Sequence, residues 1–469
     1  MPEGTSFAHG GVNTLRDKTI TAISTPWGEG GIGIVRISGP EAISIADRVI
    51  ALTRGRKFSA IQPRTVVHGM AAEADGTNID EIIAFSFRAP KSYTREDLVE
   101  IQAHGGPVVL RRVLQAVLAA GAVLAEPGEF TQRAVLNGRL NLLQAEAVLD
   151  LIRAKTNAAA AAALRRLAEG GGEQLLAVEA RLLGLSAEIE AWLDFPEDIS
   201  EPEIDSFAQK ARQIMGGLDL LLVEARRGRL LTEGAMVAIV GRPNVGKSSL
   251  LNALLGEERA IVTDLPGTTR DAVAEEISLD GLPIRFVDTA GLGQTEDRLE
   301  TLGMVRSRRE IARADLILLV FDASEPLTDS DREIATELSK KGQGIAVLNK
   351  ADLPGQLVEA PEPVSSWPTV AVSALTKHGL PALTGAILNA LGGQPAEAVP
   401  VLSHLRQIEA AAQARAALAA FAAGLGEGVA LDVLAEELRA SLASLARITG
   451  REVGPDLLRE IFSRFCLGK

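Results

Sequence analysis

The residues with the clearest chemical potential form a glycine-rich turn at positions 241–248, which reads G-R-P-N-V-G-K-S. The apolar run Met236–Val240 leads directly into this turn, and a helix-forming segment follows it. Glycines in such a turn let backbone N–H groups curl around phosphate oxygens without a clash from a Cβ atom. Lys247 brings a positive charge to the β- and γ-phosphates, and Ser248 brings a hydroxyl ligand for Mg²⁺. The motif in this strand–turn–helix context predicts a nucleoside triphosphate site.

Three short segments downstream predict that the nucleotide is GTP. The sequence D-T-A-G at 288–291 follows an apolar strand, where an acid can hold Mg²⁺ through water and a Gly N–H can meet the γ-phosphate. Asp352, in N-K-A-D at 349–352, offers a carboxylate to the ring N–H and the exocyclic amine of guanine, two donors that adenine lacks. The sequence S-A-L at 373–375 suits a backbone contact to the guanine carbonyl. Their order along successive strand ends indicates a G domain.

A fourth segment, G-T-T-R-D at 267–271, lies where a switch loop belongs. Thr269 is suited to be a second hydroxyl ligand of Mg²⁺ when the γ-phosphate orders this loop, although a threonine-rich surface turn is the alternative. Leu292 stands where many GTPases carry a water-orienting Gln, and leucine cannot hydrogen-bond the attacking water. Glu296, Asp297 and Glu300 follow, and each is either a water-positioning carboxylate or part of a solvated acidic loop.

The elements that must position these residues alternate between strand and helix over residues 235–390, which predicts a mostly parallel sheet. The predicted strands are Met236–Val240, Ile284–Asp288, Leu316–Phe321, Ile345–Leu348 and Thr369–Val372. Helical patterns flank this block on both sides, and one of them repeats at spacings of three and four through Leu175, Val178, Leu182, Leu185, Ile189 and Trp192. The flanks predict an α/β unit inserted into a helical domain that is completed by residues 400–469.

The fold class predicted from these patterns is a multidomain α/β plus all-α protein, in which a G domain is inserted into a helical domain behind an N-terminal α/β domain. A chain of 469 residues suits about three domains. The N-terminal domain is indicated by short β-like runs, Gly33–Ile37 and Ile82–Phe87, among Gly and Pro turns. The domain boundaries are placed at 1–135, 136–232, 233–392 and 393–469.

Composition narrows the class of protein further. A net charge of −13 argues against broad, phosphate-driven nucleic-acid binding, although a local basic patch stays open. No apolar run approaches the roughly 20 residues that a bilayer requires, and the N-terminus lacks an apolar signal segment, so a cytoplasmic protein is expected. The single cysteine, Cys466, fits a reducing compartment, and beside Phe465 and Leu467 we expect it to be a small packed hydrophobe, with a catalytic role as the alternative.

These motifs and several others resemble the family of tRNA wobble-uridine modification GTPases, MnmE (also called TrmE). The segments that carry the resemblance are 25–39 (TPWGEGGIGIVRISG), 102–107 (QAHGGP), 127–130 (PGEF), 133–137 (RAVLN), 194–196 (DFP), 267–271 (GTTRD) and 465–469 (FCLGK). The resemblance covers nearly everything from Thr19 to the last residue, and the N- and C-terminal segments are its specific part.

The resemblance implies a GTPase stimulated by K⁺ and by dimerisation of the G domains in a homodimer. On matching positions, the K⁺ ligands are Asn244, Thr263, Leu265 and Thr268, the Mg²⁺ ligands are Ser248 and Thr269, and the catalytic residues are Glu300 and Lys247. The complete set of residues expected to contact GTP is Asn244, Val245, Gly246, Lys247, Ser248, Ser249, Thr263, Thr268, Thr269, Asp288, Thr289, Ala290, Gly291, Asn349, Lys350, Ala351, Asp352, Ser373, Ala374 and Leu375. Gly293 departs from the family's commoner basic residue in the second switch loop.

The resemblance also implies that the N-terminal domain dimerises and binds 5-formyltetrahydrofolate or methylene-tetrahydrofolate through Arg36, Glu100, Arg139 and Lys469. The family often has Lys where this chain has Arg139, which keeps the charge but changes its geometry. With a flavin-containing partner (of the MnmG, or GidA, type), the family adds an aminomethyl or carboxymethylaminomethyl group to carbon 5 of the tRNA wobble uridine. The flavin is expected on the partner, since no G-x-G-x-x-G opens a helix after a strand here.

Three other classes of GTP-binding protein are alternatives to this family. A ribosome-assembly GTPase would carry a basic RNA-binding module after the G domain, whereas residues 400–469 are Ala-rich and balanced in charge. A scaffold that binds GTP without hydrolysing it is separated by measured turnover in K⁺ and in Na⁺. The G module of a ferrous-iron transporter shares Asn244 of the glycine-rich turn 241–248, which is the P-loop, but its membrane helices have no counterpart in this sequence.

Overall fold

A computed structural model describes residues 18–170, 172–195, 197, 203–257, 275–288, 311–340, 343–355, 357, 359–392, 400–451 and 454–469. Within this described part, contacts divide the chain into two compact units. The first unit contains residues 18–149, 167–170 and 442–469, and the second contains residues 150–166 and 172–441 with the gaps given above. The units do not follow the boundaries 1–135, 136–232, 233–392 and 393–469, which stay a prediction about domains.

The strands of the described residues are β1 (Ile20–Ile23), β2 (Gly33–Ser38), β3 (Ile50–Leu52), β4 (Val67–Ala72), β5 (Asn78–Phe87), β6 (Leu98–Ala103), β7 (Val123–Leu124), β8 (Ala235–Val240), β9 (Glu275–Leu279), β10 (Leu282–Asp288), β11 (Leu316–Asp322), β12 (Gly344–Asn349) and β13 (Thr369–Ala371). The α-helices are α1 (Ala42–Val49), α2 (Pro107–Ala119), α3 (Glu129–Leu136), α4 (Leu142–Arg153), α5 (Asn157–Glu169), α6 (Glu173–Asp194), α7 (Ile204–Glu233), α8 (Lys247–Glu257), α9 (Asp329–Ser339), α10 (Leu380–Ala390), α11 (Leu405–Glu427), α12 (Leu431–Thr449) and α13 (Pro455–Ser463).

The first unit is built on a seven-stranded sheet with the order β3-β4-β5-β6-β2-β1-β7. Alternation along β2 sends Val35 and Ile37 into the core, where they pack with residues of α1 and α2. The same alternation leaves Arg36 on the other face of the sheet, directly opposite Glu100 of β6 in the antiparallel register. The sheet therefore brings together two charged residues that lie far apart in the sequence.

The C-terminal segment belongs to this first unit. Ile461, Phe462 and Phe465 form an apolar cluster with Leu142 and with other residues of α4. Gly128 has a positive φ of 72°, and a Cβ atom there would lie 2.7 Å from the carbonyl oxygen of Phe462. Only a glycine allows this close approach, and the C-terminal segment packs here against the start of α3.

The second unit combines a helical bundle with the inserted G domain. Five of the six residues predicted as a helical seam are buried on α6, and the sixth, Trp192, is partly buried. Helix α7 packs against both α6 and α11, so helices from either side of the G domain meet. Arg415 of α11 binds Asp219 of α7 with an Nε–Oδ1 distance of 2.8 Å. These contacts confirm that the G domain is an insertion within a helical domain.

The G domain contains a six-stranded sheet with the order β13-β12-β11-β8-β10-β9. Neighbouring strands are parallel except for the β9–β10 hairpin. The central strands β11 and β12 are buried throughout, as expected when helices cover both faces of a parallel sheet. All five predicted strands are present, and β9 is an additional one. The carboxyl ends of β8, β11, β12 and β13 lie at one edge, which is the ligand-binding edge of such sheets.

None of the helices in the described part of the chain is both long enough and apolar enough to traverse a membrane.

Candidate functional site

The glycine-rich turn joins β8 to α8 and is held tightly against neighbouring strands. A Cβ atom at Gly246, where φ is +93°, would lie 2.3 Å from Nδ2 of Asn349. A Cβ atom at Gly241 would lie 2.4 Å from the carbonyl oxygen of Val320. Both glycines are required by close approach, whereas Asn244 adopts a positive φ of 66° with a side chain present.

The lysine of the turn is almost fully buried, with 6% of its surface exposed. Its ammonium donates hydrogen bonds of 2.7 Å to the carbonyl oxygens of Gly241 and Arg242, and therefore lies over the turn. Lys247, Ser248 and Ser249 form the first turn of α8, and both serines are exposed. The start of this helix thus combines a cation, backbone N–H groups and hydroxyls, which are the groups that bind phosphate and Mg²⁺.

Asn349, at the end of β12, connects three parts of the predicted nucleotide site. Its buried side chain donates from Nδ2 to the carbonyl oxygen of Val245 at 2.9 Å, which fixes the glycine-rich turn. Its Oδ1 accepts from the backbone N–H of Ala374 at 3.1 Å, which fixes the S-A-L segment. The predicted phosphate-binding and base-binding segments are therefore joined by one amide group.

Lys350 follows with a positive φ of 64°, and its ammonium donates to Oδ2 of Asp322 at 2.6 Å. The Asp322 carboxylate, at the end of β11, also accepts from the backbone N–H and the hydroxyl of Ser324. Burial pushes the pKa of Asp322 upward, but the hydrogen bonds from Lys350 and Ser324 outweigh it and leave this pKa below its usual value. Sequence reasoning missed Asp322, and the available signal was an acid that ends an apolar strand beside the strand carrying N-K-A-D.

Arg242 is a second residue that sequence reasoning missed. Its guanidinium binds the carboxylate of Glu325, and its Nε lies 3.3 Å from Oδ2 of Asp331. The hydrogen bond that Arg242 donates to Glu325 raises the pKa of Arg242 above its ordinary value. Asp331 also caps the start of α9 together with Thr328. The glycine-rich turn is therefore tied to the segment that follows β11.

The base-recognition residues lie at the surface of this sheet edge. Asp352 is exposed, and Leu375 is 84% exposed. Backbone groups next to these residues are hydrogen-bonded. The N–H of Ala351 donates to the carbonyl oxygen of Val372 at 3.0 Å, and the hydroxyl oxygen of buried Ser373 accepts from the N–H of Thr376 at 3.1 Å. The carboxylate predicted to select guanine is thus accessible, on a turn fixed by backbone hydrogen bonds.

Part of the predicted GTP site lies outside the described residues. These positions are Thr263, Leu265, Thr268, Thr269, Thr289, Ala290, Gly291, Glu296, Asp297 and Glu300. The backbone of Asp288 is described as the last residue of β10, at the same sheet edge as the glycine-rich turn.

The four residues predicted to bind folate come together in the first unit. Arg36 forms an ion pair with Glu100, with an Nη2–Oε1 distance of 2.7 Å, and only 14–15% of either side chain is exposed. The Arg36 guanidinium carbon lies 5.8 Å from the centre of the Tyr93 ring, and that of Arg139 lies 4.6 Å from the same ring. Burial lowers the pKa of Lys469, as does the positive charge of Arg36, while Glu100 opposes the shift.

The end of the chain is fastened to this charged cluster by its backbone. The carbonyl oxygen of Gly468 accepts from Arg36 Nη1 and from the hydroxyl of Ser24, each at 3.1 Å. Gly468 has a φ of +85°, and a Cβ atom there would lie 2.5 Å from the carbonyl oxygen of Ile23. Cys466 corrects one expectation: Phe465 is buried, but the thiol-bearing residue beside it is exposed and is no packed hydrophobe. Phe465 and Gly468 are buried, whereas Cys466 and Leu467 between them are exposed, so only one side of the tail faces the core.

Comparison with known proteins finds matches along nearly the whole chain. Residues 19–139 match the family model of the GTP-binding protein TrmE N-terminus, and residues 142–466 match that of the MnmE helical domain. The tRNA modification GTPase MnmE of Symbiobacterium thermophilum is 45% identical over 458 residues, which cover 97% of this chain and 100% of that protein. The protein of the same name from Geobacter sulfurreducens is 45% identical over 457 residues, which cover 97% of this chain and 99% of the relative.

Among solved structures, a variant of Aquifex aeolicus Era bound to GDP and AlF4⁻ is 30% identical over 39% of this chain and 66% of its own. The TM-score of that match is 0.27, which is too low to support an argument about shape. The family models and the full-length relatives carry the assignment without it. This chain belongs to the MnmE family of tRNA modification GTPases.

Proposed function

We propose that this chain is a potassium-stimulated GTPase that acts with a flavin-containing partner of the MnmG (GidA) type on tRNA. Together they would install an aminomethyl or carboxymethylaminomethyl group at carbon 5 of the wobble uridine. Membership of the family supports GTP hydrolysis, and the observation that carries the nucleotide site is the double hydrogen bond of Asn349. That side chain joins the P-loop to the S-A-L segment, so both ends of a guanine nucleotide have a common support.

The residues present suit a GTP–Mg²⁺ complex. Lys247 and the backbone N–H groups at the start of α8 would hold the phosphates, and Ser248 with Thr269 would hold Mg²⁺. Asp352 would accept from the two guanine donors, and its exposure leaves it accessible to the base. Bound Mg²⁺ would offset the negative charge of the phosphates. Lys247 would shift its hydrogen bonds from the turn carbonyls to phosphate oxygens.

Hydrolysis needs a further cation and an oriented water. Asn244, with Thr263, Leu265 and Thr268, would hold K⁺, which supplies positive charge near the β/γ bridge. Asn244 is exposed on the P-loop, which suits a ligand. Glu300 would orient the attacking water through its carboxylate, since Leu292 has no polar group for that role.

The N-terminal unit would bind the one-carbon donor, 5-formyltetrahydrofolate or methylene-tetrahydrofolate. The donor set suits this ligand: Glu100 can pair with the donor edge of the pterin, and Arg36, Arg139 and Lys469 can pair with the glutamate tail or the formyl oxygen. The folate would supply the transferred carbon. Tyr93, stacked by two of these guanidinium groups, adds an aromatic wall that fits a planar ring.

The remaining proposals concern assembly and location. We infer a homodimer formed through the N-terminal domain, with transient contact between G domains, in the cytoplasm. The net charge of −13 suits a division of labour in which the partner carries much of the tRNA contact.

The decisive test of the reaction is analysis of tRNA wobble uridines in cells that lack this protein. We expect loss of the carbon-5 substituent, restored by the wild-type gene and not by a Lys247→Ala variant. An unchanged modification profile in the deletion strain would remove the tRNA function.

In purified protein, GTP turnover is compared in K⁺ and in Na⁺ at equal ionic strength. Equal turnover in the two salts would remove the potassium mechanism and leave the GTPase assignment in place.

A further inference from the structure

Asp322 is a buried carboxylate that no motif of the nucleotide site includes. Only 2% of its side chain is exposed, yet it accepts hydrogen bonds from Lys350, from the Ser324 hydroxyl and from the Ser324 backbone. A buried acid with this many donors stays ionised and holds them in place. Its cationic partner is the lysine of N-K-A-D.

Lys350 needs such a partner because two features make its conformation costly. Its φ of 64° lies in the left-handed region, which side-chain-bearing residues seldom occupy. Its long side chain, 35% exposed, also loses rotamer freedom when it is fixed in one position. A charge-assisted hydrogen bond of 2.6 Å to a buried carboxylate offsets both costs. Lys350 lies between Asn349, which fixes the P-loop, and Asp352, which is proposed to select guanine.

The segment that begins with Asp322 also holds the P-loop itself. Glu325 and Asp331, three and nine residues further on, bind Arg242 of the P-loop. Asp322 contributes to the negative field at Arg242 as well. One acidic segment, residues 322–331, therefore anchors a cation from the phosphate end of the site and a cation from the base end.

We propose that Asp322 is a positioning residue of the nucleotide site, which holds Lys350 and with it the Asn349–Asp352 turn in the conformation that binds guanine nucleotides. This inference rests on the guanine-nucleotide site proposed above. Asp322 touches neither phosphate nor base in this role. Its effect reaches the ligand through Lys350, so the two residues must act as one unit.

The test is a double-mutant cycle on the affinity of the full-length protein for GDP, with the variants Asp322→Asn, Lys350→Met and the combination of both. Asp322→Asn keeps the shape and removes the charge, and Lys350→Met keeps the length of the stem and removes its ammonium. We expect each single variant to raise the Kd for GDP about tenfold, the usual effect of losing a charge-assisted hydrogen bond. The double variant should be no weaker than Lys350→Met alone, because the pair is already broken.

Additive losses in the double variant would overturn the inference, since they would mean that Asp322 acts on the fold generally. Asp329→Asn, an exposed acid on the same segment, is the matched control and should leave the Kd within about twofold.

Thermal unfolding without nucleotide gives a second readout that does not depend on the folding of Asp322→Asn. Lys350→Met should lower the midpoint because it strands a buried carboxylate, and Lys350→Arg should restore most of it. An unchanged midpoint in Lys350→Met would also overturn the inference.

Failure of the inference and failure of the nucleotide site give different results. If the wild-type protein binds GDP no better than ADP, the proposed site is wrong. If the wild type prefers GDP but Asp322→Asn binds it equally well, the site stands and the role of Asp322 falls.

Discussion

Replacement of Asn349 by alanine isolates the contact that joins the two ends of the nucleotide site. The side chain is 1% exposed, and its amide donates to the carbonyl oxygen of Val245 and accepts from the N–H of Ala374. Alanine can do neither. The change therefore leaves one backbone acceptor in the glycine-rich turn and one backbone donor in the S-A-L segment without their partner.

The magnitude follows from those two groups. A buried polar group that loses its partner costs about 1–3 kcal/mol, so two such groups set a range of about 2–6 kcal/mol. The space left by the amide is lined by the carbonyl oxygen of Val245 and the N–H of Ala374, and a water that enters it would recover part of the loss. We expect Asn349→Ala to lower the free energy of unfolding of the nucleotide-free G domain by about 2–4 kcal/mol.

The assay is urea denaturation of the full-length protein, followed by circular dichroism and analysed for the transition that GDP shifts. The matched control is Asn252→Ala, an exposed position on α8, which should change stability by less than about 0.5 kcal/mol. Because ligand binding stabilises only the folded site, the GDP-induced shift should also shrink in Asn349→Ala. A loss below about 1 kcal/mol, with an intact GDP shift, would refute the reasoning that Asn349 supports both segments.

Three further changes address other parts of the chain. Asp352→Asn should shift base preference away from guanine, measured as the ratio of Kd values for GDP and XDP, and unchanged GTP selectivity would contradict its role. Glu300→Ala should slow GTP hydrolysis by about 10²–10³-fold in single-turnover kinetics while sparing nucleotide affinity, whereas equal losses of both would make it a structural residue. Gly468→Ala, at a φ of +85° and with its Cβ atom directed at the carbonyl oxygen of Ile23, should detach the tail from Arg36. Calorimetric titration with 5-formyltetrahydrofolate should then show a Kd raised about tenfold or more, and wild-type affinity would argue against a tail-built pocket.

The strands and helices of the G domain are predicted correctly from the sequence because its central strands are uniformly apolar and its turns carry glycines at fixed offsets. Strand β11, for example, was predicted from Leu316 to Phe321 and runs from Leu316 to Asp322. The extra residue is the one that matters, since Asp322 ends the strand and binds Lys350. A strand predicted from apolar residues ends at the last of them. The prediction therefore leaves out an acid that is buried because it pairs with a distant cation.

Local order in the chain was sufficient to predict a guanine-nucleotide site, because the P-loop, N-K-A-D and S-A-L each depend on residues within a few positions of one another. The contact between residues near the two ends of the chain could be seen only in the folded structure. Arg36 and Gly468 are 432 positions apart, and their contact depends on the sheet that pairs Arg36 with Glu100 and on a C-terminal segment packed against α3 and α4. The same holds for Arg242 with Glu325 and for Cys466, which is exposed although both of its neighbours in the sequence are apolar. Periodicity reports which residues are buried along one element, whereas pairing between elements is fixed only when all of them share a common core.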